Sequence, residues 1–311
     1  MKYLITGDFH IHKDNLEELS GVFSQILKHL QECEGIILLG DIFNNANPAP
    51  SVIKSTIEFL NKIPKNKIIY LISGNHDNCR SEFATCWIPS LKDFTHLTYS
   101  EKGIITTINH KTVNMMHMHV NESKLGPEDI KLSSISYTKY KEDILLLGHV
   151  HKSQVISDKP LVLHPGSPYY INFGERNDNK GIYIINIEEE VTYKFVPLTV
   201  IPMKQFCITE DKIEVSKIEL DELDAKTKVK IIFDIDNYKP ELMNAIGEMI
   251  KKYRNKFCVF KYHLNIIRKA IEVSREEQHK TINELLEEFC KKENTDPEVK
   301  KVLSELLRYD D

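Results

Sequence analysis

The sequence predicts an α/β protein, a layered sandwich followed by a small β-α-β unit and a terminal pair of helices. Up to about residue 100, short apolar runs alternate with amphipathic helices, the texture of parallel βαβ units. After that point the strands come closely spaced, which adds hairpins to the first unit. Around Pro197–Pro202 the pattern breaks, and the residues beyond it read as separate small elements.

Taken in order, Lys2–Thr6 reads as the first strand. Leu16, Leu19, Val22, Phe23, Ile26, Leu27 and Leu30 recur at helical spacing and mark one face of a helix. Gly35–Leu39 is a second buried strand, Val52–Leu60 a second helix and Lys67–Ile72 a third strand. The second half of the unit supplies Ile104–Ile108, Thr112–Met118, Ile144–Leu147, Leu161–Leu163, Ile182–Ile187 and Val191–Val196. Beyond the break, strand Lys228–Ile235, helix Glu241–Tyr253 and strand Phe257–Leu264 make the β-α-β unit. Glu272–Lys280 is a charged linker or extended helix. Two short amphipathic helices end the chain, one lined by Ile282, Leu285, Leu286 and Phe289, the other by Val299, Val302, Leu303, Leu306 and Leu307. Between them Thr295 or Asp296 is the expected cap and Pro297 opens the second helix. These elements divide the chain into 1–200, 201–268 and 269–311.

At 311 residues the chain has room for one large domain with appendages, since domains run about 100–200 residues. No run approaches the roughly 18 apolar residues of a membrane span. The start, MKYLITGDFH, has too short an apolar run for a secretory leader. Six cysteines are scattered without C-x-x-C spacing, which suggests reduced thiols and a cytoplasmic location, and argues against a disulfide framework or a zinc ribbon. The net charge of −5 works against independent binding to a polyanion, so a local basic patch, a basic partner or bound cations must supply such contacts.

The residues that carry chemistry come directly after the apolar runs, where a parallel sheet places its ligands. They are Gly7-Asp8-Phe9-His10, Gly40-Asp41, Gly74-Asn75-His76-Asp77, the His117-Met118-His119 strand end and Gly148-His149-Val150-His151. A single Gly-Asp after a strand is ordinarily a turn, and a single apolar-flanked His is ordinarily a core residue. The ordered set is far more specific than its parts. Carboxylate mixed with imidazole suits manganese, iron or zinc, and the absence of thiolates argues against a structural zinc site. Two ions bridged by one carboxylate can activate water and clamp both oxygens of an in-line displacement at phosphorus.

These motifs resemble those of the calcineurin-like metallophosphoesterases over roughly residues 1–200. The resemblance implies a four-layer α/β/β/α metallophosphoesterase sandwich with a small α+β capping domain. It implies Asp8, His10, Asp41 and His151 on one ion, and Asp41, Asn75, His119 and His149 on the other, with two divalent metals, Mn2+ or Mg2+, as cofactors. His76 would be the acid that protonates the leaving oxygen or stabilises the phosphorane, oriented by Asp77. The fourth motif offers both His117 and His119, on one face of a strand. His119 is preferred because it lies nearer the strand end, and because His119–Lys124 resembles the nuclease branch. His12 is expected to be a bystander.

Gly40-Asp41-Ile42-Phe43-Asn44-Asn45 departs from the phosphoprotein-phosphatase pattern. His164-Pro165-Gly166-Ser167-Pro168-Tyr169-Tyr170-Ile171-Asn172-Phe173-Gly174-Glu175 resembles the G-S-P…F-x-E signature of SbcD-type DNA repair nucleases, and the compact form is most similar to the recombination endonuclease subunits of tailed phages. That resemblance implies a manganese-dependent DNA exonuclease and endonuclease, an SMC-like ABC ATPase partner held through the C-terminal helices, and a homodimer. One departure is Asn44, where repair nucleases often carry His or Asp, since Asn cannot shuttle a proton. A small-molecule or cyclic-nucleotide phosphodiesterase and a non-catalytic scaffold for the ATPase are the alternatives. Tyr169, Tyr170 and Phe173 read either as core aromatics or as DNA-facing ones. The terminal Leu/Val stripe could pack back on its own domain, and Lys251–Arg254 read as a solvated helix face.

Overall fold

The computed structural model describes residues 1–78, 91, 97–124, 135–236, 239–266, 284, 287–288, 290–291 and 296–307, without the side chains from 304 onward. The chain divides into two compact units, Met1–Val200 and Ile201–Asp311. Glu272–Lys280 and the stripe of Ile282, Leu285, Leu286 and Phe289 lie outside the described residues, as do Cys79 and Cys86. The other four cysteines are free thiols. Among the described residues no helix is long and apolar enough to cross a membrane.

The first unit is the mixed α/β sandwich that the sequence predicts. Strands β1 (Lys2–Thr6), β2 (Gly35–Leu38), β3 (Ile68–Ile72) and β4 (Thr98–Ser100) run parallel. The sheet is completed on the far side of β1 by the antiparallel pair Gly181–Ile187 and Val191–Pro197. Helices α1 (Leu16–Leu30) and α2 (Pro50–Asn61) are threaded between β1, β2 and β3. Their apolar faces, including Leu19, Val22, Phe23, Ile26, Val52 and Phe59, are buried with Leu4, Ile36 and Leu38 from one side of the sheet. Pro50 opens α2, where its missing N–H has no intrahelical partner to lose.

The second sheet is built on β5 (Ile104–Ile108), β6 (Lys111–His117) and β7 (Ile144–Gly148), joined by β8 (Gln154–Asp158) and β9 (Leu161–His164) in the order β5-β6-β7-β9-β8. Strands β6, β7 and β9 are parallel, and both edges are antiparallel hairpins. Alternation decides which residues meet between the sheets. Tyr3, Ile5, Ile37 and Ile72 from one sheet are buried against Val113, Met115, Ile144 and Leu146 from the other. The outer face of the second sheet is covered by Val120 and by Tyr137 and Tyr140 of a short helical turn.

The second unit has a parallel sheet of Met203–Ile208, Lys228–Ile235 and Val259–Ile266, joined through helices α3 (Ile213–Glu222) and α4 (Pro240–Tyr253). It thus holds one more strand and one more helix than the β-α-β reading. The periodicity of α3 is blurred because Val215 and Ile218 are exposed, while Ile213 and Leu220 are buried. The last helix, α5 (Pro297–Leu307), packs on α4. Asp296 caps it, its Oδ1 accepting from the backbone N–H of Glu298 at 2.8 Å. Val299, Val302 and Leu303 are buried in the core of this unit. Gly247 on α4 makes room, since a Cβ there would stand 2.5 Å from Val299 Cγ1. Val299, Val302 and Leu303 of the stripe read as a clasp for an ATPase are therefore packed within their own unit, while the side chains of Leu306 and Leu307 lie outside the described ones. Lys251 and Lys252, on the face read as solvated, pair with Asp296 and Asp221 at 3.3 and 2.7 Å.

Candidate metal centre

Parallel strands end together, so the loops that leave them converge. Within the first unit this happens at the C-terminal ends of β1, β2, β3, β6 and β7. The loops continue the pairing of their strands. Asp8 N donates to Gly40 O, His10 N to Asp41 O and Ile11 N to Ile42 O, each at 2.9 Å. Asp77 locks the β3 loop to the β2 loop. Its carboxylate accepts from the backbone N–H groups of Phe43 and Gly74 at 2.9 Å and Ile42 at 3.2 Å.

The residues that turn inward hold unusual backbone. Asp8, His10, Asp41 and His149 all have positive φ, between 43° and 82°. Such a conformation costs a non-glycine residue on the order of 1–3 kcal/mol, and it persists only where surrounding bonds enforce it. The preceding glycines have a second task, which is close approach. A Cβ at Gly74 would lie 2.0 Å from Asp41 Oδ1, and one at Gly40, itself at φ +84°, would lie 2.7 Å from His117 Nδ1.

Two groups of donors flank Asp41, and a third, of His10, Asp41 and His76, overlaps both. In the first, Asp8, His10 and His151 bring ligand atoms within 4.8 Å of one another. His10 Nε2 lies 3.1 Å from His151 Nε2 and 3.5 Å from Asp41 Oδ2. In the second, Asp41, His117 and His149 converge in the same way. His117 Nε2 is 3.2 Å from Asp41 Oδ2 and 3.1 Å from Asn75 Oδ1, and His149 Nδ1 is 2.9 Å from that same Asn75 oxygen.

The donor chemistry fits divalent cations. His151 gives its Nδ1 proton to Glu175 and His117 gives its own to Leu39 O, at 2.9 and 2.7 Å. With its Nδ1 proton so engaged, each ring would offer Nε2 as a lone pair to a cation once that nitrogen gives up any proton it carries. Asp8 Oδ1 accepts from His149 N at 3.0 Å, while its Oδ2 is buried without a hydrogen-bond partner. Acceptors converge in this way around a cation or a proton. Burial works against a charged His117, but the carboxylates of Asp41 and Asp8 override it and push the imidazolium up to about 9. Burial also pushes the Asp8 carboxyl up to about 6, and pushes His10 and His149 down to about 4, ready as neutral ligands. Burial would raise Asp41 too, yet the hydrogen bond from His117 and the N–H of His76 hold it below the usual carboxylate range.

The structure thus gathers Asp8, His10, Asp41, Asn75, His149 and His151, and it brings in His117 where the sequence reading preferred His119. The reason is the end of β6: His117 is the last residue paired in the sheet, facing the first sheet, and lies opposite Gly148. His119 lies beyond that end, its ring stacked on His149 with centroids 5.4 Å apart and its Nε2 buried without a partner. His76 stands at the exposed mouth, 4.6 Å from the His10 ring by centroids. Its Nδ1 donates to the carbonyl of Asn44 at 2.9 Å. The backbone, not the side chain, of Asn44 thus orients His76, and Asp77 serves the loops instead, its carboxyl pushed up to about 7 by burial. His12 caps the short turn after the first motif, away from the donors.

Sequence reasoning missed the supports. Asn15 Nδ2 donates to His10 O at 3.0 Å and to Tyr169 Oη at 2.7 Å, and Tyr169 Oη donates to Phe9 O at 2.8 Å. Tyr169 is therefore a core aromatic that holds the first ligand loop. Phe173 is buried as well, whereas Tyr170 is half-buried.

Comparison with known proteins identifies the family of the first unit. Residues 1–190 match the family model described as the calcineurin-like phosphoesterase superfamily domain. The chain is 24% identical over 195 residues to an uncharacterized metallophosphoesterase, YhaO, of Bacillus subtilis, covering 51% of this chain and 47% of that one, so it spans about half of that relative. It is 24% identical over 325 aligned positions to the DNA double-strand break repair protein Mre11 of Nanoarchaeum equitans, covering 83% of this chain and 88% of that one. Among solved structures it aligns with the E. coli phosphoesterase Yfce at 18% identity and a TM-score of 0.35, covering 64% of this chain and 100% of the other. It also aligns with the Pseudomonas putida nuclease MPE at 20% identity and a TM-score of 0.32, covering 52% and 72%.

Proposed function

We propose that this chain, which belongs to the calcineurin-like phosphoesterase superfamily, is a manganese-dependent nuclease that hydrolyses phosphodiester bonds in DNA. One observation carries the reading: Asp41 Oδ2 stands between the two groups, 3.5 Å from His10 Nε2 and 3.2 Å from His117 Nε2, so that one carboxylate could serve both. Asp8, His10, Asp41 and His151 would hold one ion, and Asp41, Asn75, His117 and His149 the other. Bound there, two divalent ions would polarise the phosphate and lower the pKa of the attacking water. The mixed imidazole and carboxylate set favours Mn2+ over Mg2+.

The chain's own residues do the rest. Asp41 is kept ionised by its neighbours and ties the two halves together. His76 holds its Nδ1 proton on the Asn44 carbonyl, so Nε2 would serve the leaving oxygen or the phosphorane by giving up the second proton of the imidazolium form, which returns the ring to neutral. The lengthwise similarity to a DNA double-strand break repair protein supports DNA as substrate. With a net charge of −5, the bound ions and a partner are expected to supply much of the attraction to phosphate. We therefore include in the proposal an SMC-like ATPase partner and a homodimer. The ATPase contact would use surfaces of the second unit other than the buried Val299–Leu303 stripe.

The test is digestion of end-labelled linear DNA with Mn2+, Mg2+ or EDTA, alongside bis-p-nitrophenyl phosphate and cyclic AMP. Shortening of DNA that requires Mn2+ supports the reading. Turnover of the small diesters with DNA left intact, even when a partner ATPase is added, would replace it with a small-molecule phosphodiesterase.

A further inference from the structure

Glu175 belongs to neither group of donors, yet it is buried beside one of them. Its two oxygens have separate tasks. Oε1 accepts from His151 Nδ1 at 2.9 Å and from the side-chain amide of Asn172. Oε2 accepts from Lys180 Nζ at 2.7 Å, and from Ser167 Oγ and the backbone N–H of Ile171, both at 3.2 Å. Lys180 is as deeply placed, at 4% exposure, and Nζ also donates to Ser167 Oγ at 2.7 Å and to the backbone carbonyl of His151 at 3.2 Å. Ser167 N donates to that same carbonyl at 3.1 Å. One network therefore grips His151 at both ends, ring and main chain.

We propose that Glu175 is a positioning residue for the metal centre: it fixes the His151 ring with the proton on Nδ1 and Nε2 directed at the ion shared with Asp8, His10 and Asp41. The proposal rests on the two-ion reading of the site. An ionised carboxylate has no proton to give, so Nδ1 of His151 must be the donor and the tautomer is set. Without that acceptor the imidazole is free to carry its proton on Nε2 or to rotate about χ2, and either change withdraws the lone pair from the site. Lys180 makes this dependable. It keeps Oε2 occupied and gives the buried carboxylate a counter-charge, so that Oε1 stays with His151. Ser167 and Glu175 are the Ser and Glu of the segment that the sequence singled out, and their joint hold on His151 gives that segment a physical task.

The rival account is a buried ion pair that only stiffens the loop from 164 to 180. It expects altered stability and unaltered metal affinity. The experiment is titration of full-length protein with Mn2+ by calorimetry, on wild type, Glu175→Asp, Glu175→Gln and the Glu175→Gln/Lys180→Met pair. Asp keeps the charge for Lys180 but withdraws it from His151, and the double variant leaves no buried charge unpaired, so a folded protein is available to read. Wild type is expected to take up two Mn2+ per chain. In each folded variant one affinity is expected to fall about 10–100-fold, the usual scale for losing such a support, with the other unchanged. Activity lost in Glu175→Asp should return as Mn2+ is raised. Two Mn2+ bound with wild-type affinities by the folded variants would overturn the role of Glu175 alone. Wild-type protein that binds no Mn2+ would overturn the two-ion reading and this inference with it.

Discussion

The two halves of the candidate metal centre share Asp41 but are held in opposite ways. On the Asp8–His10–His151 side each ligand has a dedicated support. Asn15 and Tyr169 hold the first loop, and Glu175 with Lys180 holds His151. On the Asn75–His117–His149 side only His117 has such a support, in the Leu39 carbonyl; His117 and His149 otherwise meet at the Asn75 carboxamide oxygen, and Asn75 itself is exposed. A braced half keeps its geometry whether or not an ion is present. An open half exchanges ions and admits substrate, at the expense of competing with protons for its ligands. Under the proposed two-ion reading, the braced half is expected to bind its ion more tightly than the open half, and the contrast can be attacked experimentally from either side.

The largest effect should come from the braced half. Asp8→Asn is expected to reduce phosphodiester hydrolysis by about 10⁴-fold, the scale of removing a group that acts as part of a unit. The same variant, free of metal, should be at least as heat-stable as wild type at pH 8. Burial has raised the Asp8 carboxyl to about 6, so ionising it costs the folded state about 3 kcal/mol, and Asn removes that cost. Scanning calorimetry in EDTA checks this; a large drop in melting temperature would show that the loss of activity was a folding defect.

Next in size is His76→Ala, which removes a ring beside His10 that the proposal does not count among the ligands. Both Mn2+ affinities should persist while turnover falls about 10²–10⁴-fold, the range for a general acid. Loss of an ion in that variant would move His76 into the ligand shell, where its ring nitrogen already comes within 4.8 Å of His10 and Asp41 ligand atoms.

The pH dependence sharpens the contrast from the open side. Without metal, His117 is pushed up from 6.5 to about 9. Its contribution to stability is full below pH 6.5 and is lost as pH rises through 9. An ion entering the open half must displace that proton. Apparent affinity there should climb roughly tenfold per pH unit between pH 7 and 9, with about one proton released per ion. Titrations in two buffers of different ionisation enthalpy measure the proton directly. Binding without proton release at pH 8 would contradict the placement of His117.

The smallest effect separates the two candidate histidines of β6. His117→Ala should remove one of two bound Mn2+. His119→Phe preserves the stack on His149 and should change activity by less than about tenfold, the ceiling set by a volume-conserving exchange. The reverse outcome would reinstate His119 as the ligand.

The same division between ligands and supports separates the residues legible in the sequence from those that were not. The candidate donors stood out in the sequence because they cluster at strand ends, where polar residues interrupt an apolar run and a glycine often opens the motif. Strands of strong apolar character were legible for the same reason, and β1, β5 and Lys228–Ile235 have the bounds expected of them. His119 was preferred over His117 because alternation gives a face but not the residue at which pairing ends. Helix α3 was missed because its exposed Val215 and Ile218 break the stripe. Asn15 and Lys180 were invisible as supports, since a lone amide or lysine carries no period and nothing in the local sequence shows which loop it holds. Asp77 was read as the residue that orients His76, whereas its carboxylate accepts from backbone N–H groups of the β2 and β3 loops.

The left-handed backbone at Asp8, His10, Asp41 and His149 bears on how this protein would respond to selection in the laboratory. A screen for heat resistance that ignores activity rewards whatever relaxes these four positions, and glycine relaxes each of them while deleting a ligand. Gains in durability and losses of chemistry would then map to the same codons. A library meant to harden this scaffold should hold those four positions fixed and vary the α1 and α2 surfaces instead.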